Sequence, residues 1–216
     1  MSISAPDSSA EKPVDNDLAN GHSRRFRVLA IPGSLRRGSF NRLLLEAARE
    51  CAPTDLEIEL YDGLAAVPLF DEDIEEETAG GPPPVQQLRR LVASADGLFI
   101  ATPEYNQSLP GVLKNALDWL SRPAPNEVLI DKPVAIMGAS GGRWGTRLAQ
   151  SSLRQVLVAT EALVLPKPML FLRDAATLFD DSGRLVHPQT RKQLEAVMTS
   201  FARWIALMAP PDICDA

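Results

Sequence analysis

Cysteine and histidine are almost missing from this 216-residue chain, at two of each. Cys51 and Cys214 stand apart, with no CxxC pair and no histidine cluster beside them, which points to neither a disulfide framework nor a zinc site. His22 falls in a polar leader and His187 precedes Pro188 at a helix start, so both are expected to be solvated and neither to act as acid or base. Positive charge is also short. Lys and Arg number 22 against 28 Asp and Glu, giving a net charge of -6, which argues against a nucleic-acid or anionic-membrane surface. No apolar run approaches the roughly 20 residues that span a bilayer, and the first two dozen residues lack the apolar core of a secretory signal. A cytoplasmic protein with no nucleic-acid or membrane partner is expected.

Two nucleotide signatures are absent as well. Gly33 and Gly38 have the spacing of a Walker loop, but Ser39 stands where its lysine belongs, which disfavours ATP or GTP. The three-glycine G-x-G-x-x-G pattern of dinucleotide folds does not occur. What is present is Gly33-Ser34-Leu35-Arg36-Arg37-Gly38-Ser39-Phe40-Asn41, set between the apolar run Val28-Leu29-Ala30-Ile31 and an apolar-periodic segment. A phosphate needs crowded backbone N–H groups, hydroxyls, positive charge and the positive end of a helix dipole. The glycines permit the turn, Ser34 and Ser39 supply hydroxyls, Arg36 or Arg37 supplies charge, and Asn41 donates an amide or caps the turn. The expected ligand is a mononucleotide.

The rest of the chain gives that loop its setting. Residues 1–24 are polar and aperiodic and read as a disordered leader, 25–209 as one domain, and 210–216, with Cys214, as a tail. A strand at 27–31 precedes the loop, and Phe40, Leu43, Leu44, Ala47 and Cys51 then recur at helical spacing, with Cys51 as apolar filler. Residues 56–60 alternate as an edge strand. Residues 61–84, with the acidic run 71–77, read as a solvated surface connection whose length hints at a lid or partner contact. A helix from Val85 to Ala95, a strand at 97–101, a helix after Pro110, a strand at 133–137, a helix through Leu153, a short strand near 163–165, a Pro-rich loop and a last helix complete the order. Five strands alternating with helices predict an α/β fold: a doubly wound five-stranded parallel sheet of flavodoxin-like order 2-1-3-4-5, helices on both faces. Polar loops after strands 1, 3 and 4 then meet at one edge.

Those loops carry a resemblance. Gly-Ser-Leu-Arg-x-x-Ser-x-Asn at 33–41, Pro103-Glu104-Tyr105-Asn106, and the run Leu113-Lys114-Asn115-Ala116-Leu117-Asp118-Trp119-Leu120-Ser121-Arg122 resemble the NAD(P)H-dependent FMN reductases, and within them the chromate, quinone and azo-dye reductase branch, over residues 26–208. The resemblance implies an FMN whose phosphate lies against Ser34, Arg36, Ser39 and Asn41, with Phe40 also among the cofactor-binding residues. Pro103, Glu104, Tyr105 and Asn106 would border its ring, largely through backbone, and Ser140, Gly141 and Gly142 match the family's third flavin loop, where Arg143-Trp144-Gly145 departs from more glycine-rich relatives. It further implies NADPH or NADH as co-substrate, small-molecule electron acceptors, ping-pong turnover with no catalytic side chain, and a homodimer or homotetramer. Trp119 is expected in the core or a subunit interface. The competing reading is a flavodoxin-type FMN electron carrier with little NAD(P)H activity; such carriers have a hydroxyl-rich phosphate loop without arginine.

Overall fold

The computed structural model describes residues 25–209, so the expectations for the leader, His22, Cys214 and the tail lie outside the described residues. The chain runs β1 (Phe26–Pro32), α1 (Phe40–Glu50), β2 (Leu56–Leu60), α2 (Glu72–Glu77), α3 (Pro83–Ser94), β3 (Gly97–Ala101), α4 (Gly111–Leu120), β4 (Pro133–Ala139), α5 (Arg147–Ala159), β5 (Leu163–Val164), β6 (Leu170–Leu172) and α6 (Pro188–Met208). The parallel sheet has the order β2-β1-β3-β4-β5.

Side chains alternate across a strand, and the three central strands are apolar on both faces. Val28 and Ala30 of β1, Phe99 and Ala101 of β3, and Ala135 and Met137 of β4 pack on one side with Leu44 and Leu45 of α1 and Phe201 and Ile205 of α6. Leu29, Ile31, Leu98, Ile100, Val134 and Ile136 face the other way, onto Leu88 of α3, Leu113 and Leu117 of α4 and Leu153 of α5. Three layers result, and every β-to-α turn after β1, β3 and β4 opens at the same carboxyl edge.

Three local expectations change. The fifth sheet position is filled twice: β5 pairs with the start of β4 (Pro133↔Leu163) and β6 with its end (Met137↔Leu170). Pro166 and Pro168 lie between them and have no N–H to donate, which is why the ladder breaks where the sequence showed only a Pro-rich loop. The acidic run is not a solvated loop but α2, capped by Asp71, whose carboxylate accepts from Asp73 N–H; Glu72, Asp73 and Glu75 complement the dipole of the first turn. Glu75 is buried and paired with Arg122 at 3.0 Å. The chain before α2 is pinned to α4, because the Pro68 carbonyl accepts from Asn115 Nδ2 at 2.8 Å and Trp119 Nε1 at 2.9 Å, and Phe70 meets Trp119 edge-on. Trp119 is therefore core. Cys51, the C-cap of α1, packs against the core as expected but is only half-buried, and its Sγ accepts from Arg191 at 3.0 Å.

Candidate functional site

The first loop leaves β1 at Gly33, whose N–H donates to the Ala101 carbonyl at 2.8 Å. A Cβ there would lie 3.0 Å from Leu113 Cδ2 and 3.3 Å from the Ala101 oxygen, so glycine lets the first loop lie against the second. Ser34 Oγ sits 3.2 Å from the Tyr105 hydroxyl and accepts from Arg36 N–H. Ser39 is the N-cap of α1, its Oγ accepting from Arg42 N–H. Asn41 is buried, and both ends of its amide are engaged: Nδ2 donates to the Ala139 carbonyl and Oδ1 accepts from the Ala139 N–H, each at 2.9 Å. It ties the first loop to the third rather than pointing an amide outward.

Charge at this end is divided unequally. Arg42 is held by Asp62 and by Glu46, which raises its guanidinium pKa and keeps the Asp62 carboxyl below the usual carboxylate range. Arg36 lies over the Phe40 ring at 5.3 Å and, with Arg37, forms no ion pair among the described residues. The first N–H groups of α1 have no intrahelical acceptor. A helix end with open donors and an uncommitted guanidinium suits an anion.

The second loop is rigid at its root and open at its tip. Thr102 and Pro103 are buried, and Thr102 N–H donates to the Met137 carbonyl at 3.0 Å. Tyr105 and Ser108 exchange two backbone hydrogen bonds of 3.0 Å around Asn106 (φ 49) and Gln107 (φ 65), a two-residue turn of the primed kind. Glu104 turns away from that tip: its Oε2 accepts from the N–H groups of Leu148 (2.9 Å) and Ala149 (3.1 Å). It thus caps α5 from another loop, since Thr146, the residue before α5, has φ 66 and makes no side-chain cap. Thr146 Oγ1 instead accepts from Gln150 Nε2 at 3.0 Å. In the third loop Ser140 Oγ accepts from Gly142 N–H at 3.0 Å, and Arg143 lies 4.8 Å from the ring of exposed Trp144.

Between these loops lies a cavity of about 400 Å³, lined by Ser34, Arg36, Ser39, Phe40, Asn41, Pro103, Glu104, Tyr105, Ser140, Gly141 and Gly142, joined by Ala139. Of the sequence-predicted site residues only Asn106 does not line it. Ala139 was missed because an alanine at a strand end carries no chemical signal. The side-chain work of Glu104 and Asn41 was also missed, since their partners are distant in the chain. His187 is not at the cavity; it caps α6, Nδ1 accepting from Thr190 N–H. A larger recess of about 520 Å³ follows the open edge of β2, where Arg42, Glu46, Glu57 and Glu59 line it. The smaller cavity fits a phosphorylated flat ligand: it has the anion-suited helix end on one side, and on the other Gly141, where a Cβ would meet nothing within 4 Å.

A helix end for phosphate at the switch between β1 and β3 of a 2-1-3-4-5 sheet defines a flavodoxin-like mononucleotide-binding protein. The model of the NADPH-dependent FMN reductase family matches residues 26–177, and the chain belongs to that family. It is 43% identical over 180 residues to an NAD(P)H-dependent FMN reductase of Pseudomonas aeruginosa, covering 83% of this chain and 95% of the relative. It is 38% identical over 184 residues to a quinone reductase of Escherichia coli K12, covering 85% and 97%. Among solved structures, the flavoenzyme NAD(P)H:(acceptor) oxidoreductase FerB of Paracoccus denitrificans superposes with a TM-score of 0.77 at 30% identity, over 84% of this chain and 98% of that one. The chain is an enzyme, an FMN-dependent oxidoreductase. No helix among the described residues is long and apolar enough to cross a membrane.

Proposed function

We propose that this enzyme passes hydride from NADPH or NADH through FMN to quinones, and to azo compounds, free flavin or chromate, by a ping-pong route in which donor and acceptor use one open face in turn. The observation that carries this reading is the meeting of three loops around one cavity, with the open N–H groups of α1 and unpaired Arg36 at one end and the glycines of 141–142 at the other. Bound there, FMN supplies the hydride chemistry at its ring. The chain's own residues bind and orient. Ser34, Arg36, Ser39 and Phe40 would hold the phosphate, with Asn41 fixing the helix start behind them. Pro103 and Tyr105 would border the ring, with Asn106 shaping the turn beyond them, and Glu104 would keep that border aligned with Ser140, Gly141 and Gly142. No side chain is needed as acid, base or nucleophile. We place the enzyme in the cytoplasm, with its reduced nicotinamide supply, and as a homodimer or homotetramer, in keeping with exposed Trp144, Leu148 and Val158.

The test is a titration. Purified protein should take up FMN at micromolar concentration, and anaerobic NADPH should bleach the flavin band. No FMN uptake overturns the reading; uptake without bleaching by NADPH or NADH makes the protein an electron carrier instead.

A further inference from the structure

Tyr105 belongs to the second loop, yet its side chain reaches the first. Its hydroxyl lies 3.2 Å from Ser34 Oγ, 71 residues away in the chain, and has no other hydrogen-bond partner among the described residues. The ring is 50% exposed, so core packing does not account for where the hydroxyl ends. The backbone does hold it within reach, because Tyr105 and Ser108 are locked together by their two 3.0 Å bonds. Ser34 Oγ also accepts from the Arg36 N–H at 3.3 Å. A serine hydroxyl carries a single hydrogen and two lone pairs. With Arg36 N–H on the first lone pair and Tyr105 O–H donating into the second, Ser34 keeps its own hydrogen for an acceptor in the cavity that both residues line. The opposite orientation, Ser34 donating to the phenol oxygen, would spend that hydrogen and turn a lone pair toward the ligand, which an anion repels. Donors into an O–H group also polarise it and strengthen its own donation.

We propose that Tyr105 is a positioning residue for the anion end: by donating to Ser34 it aims the Ser34 hydrogen at the flavin phosphate, and so couples the ring-side loop to occupation of the phosphate loop. The proposal rests on the reading of this cavity as an FMN site. Through this hydroxyl Tyr105 touches no reacting atom; its effect passes through Ser34. A flavin without a phosphate gains nothing from an aimed serine hydroxyl. The tyrosine hydroxyl therefore contributes to the affinity for FMN and not to that for riboflavin, whereas the tyrosine ring serves both.

The probes are FMN and riboflavin, titrated by flavin fluorescence into the flavin-free protein. Tyr105→Phe removes the hydroxyl and keeps the ring. It should weaken FMN about fivefold, the scale of one lost hydrogen bond, and leave riboflavin as in the wild type. Ser34→Ala should weaken FMN at least as much, and adding Tyr105→Phe to Ser34→Ala should weaken it no further, because the tyrosine has lost the group through which it acts. Unchanged FMN affinity in Tyr105→Phe, an equal loss of FMN and riboflavin, or additive losses in the double variant each overturn the proposal. If the wild type takes up no FMN, the flavin reading falls and the proposal falls with it. Affinities as expected without bleaching by NADPH uphold the proposal and remove only the hydride step of the reductase reading.

Discussion

At the anion end of the cavity Ser39 and Asn41 are each 2% exposed, whereas at the other end Tyr105 is 50% exposed and Gly141 would meet nothing if given a Cβ. The first pair spend their side chains on the protein itself, one on the cap of α1 and one on Ala139. The second pair belong to a tight turn tip and an open glycine loop. A phosphate always has the same shape, so the groups around it gain from being fixed before it arrives. A ring face that must admit donors and acceptors of several shapes gains from being uncovered. The fold thus places rigidity where the ligand is constant and leaves room where it changes.

The largest test of that contrast is Asn41→Ala. The substitution strands a buried N–H and carbonyl of Ala139, since both pair with the Asn41 amide at 2.9 Å. Each unsatisfied buried group costs about 1 to 3 kcal/mol, and the change should lower unfolding free energy by about 3 kcal/mol in urea. FMN affinity should fall with it, because the start of α1 is no longer held against β4. A loss below about 1 kcal/mol would mean that the anion end is no more fixed than the ring end.

Much of this architecture was legible in the chain, and what was hidden shares a physical cause. The apolar runs of β1, β3 and β4 and the periodic faces of α1, α3 and α4 encode local geometry, so the sheet order and the meeting of three loops followed from them. The glycines, hydroxyls and arginine of 33–41 announced an anion site through their own chemistry. Pairings across the chain left no such trace. Asn41 and Ala139 are 98 residues apart, and Glu104 and Leu148 are 44 apart. An acidic run reads as solvated until its counter-charge is located, and Arg122 is 47 residues from Glu75. The second half of the fifth strand position, β6, is three residues long, too short to show a period.

Glu104→Ala tests the joint between the two ring-side loops and should act less strongly than Asn41→Ala. Its carboxylate is the acceptor for two N–H groups of the first turn of α5. Losing a capping side chain costs about 1 kcal/mol, and the lost charge at a helix N-terminus is part of that. Urea unfolding should report that loss. FMN should bind several-fold more weakly because the 103–106 loop is no longer tied to the start of α5, where the third loop ends. If stability falls and FMN affinity does not, each loop is held by its own strand and the joint is structural only.

Gly142→Ala should have the smallest effect on the fold and for that reason isolates the open end. A Cβ at 142 would meet only Ser140 Oγ, at 3.5 Å, which is ordinary contact, and the backbone there is not left-handed. Gly138, four residues earlier, is the opposite case: a Cβ would press into the Thr102 carbonyl at 2.5 Å and into Thr146, so that glycine serves packing. Stability of Gly142→Ala should stay within about 0.5 kcal/mol of wild type. If the loop backs a flat ring, the added methyl stands in the space the ring needs, and FMN affinity should fall about tenfold, a change of about 1.4 kcal/mol. A spectral titration beside a melting curve separates the two quantities. Unchanged affinity in a normally stable variant would move the ring away from residue 142 and leave the second loop, at Tyr105, as its only close border.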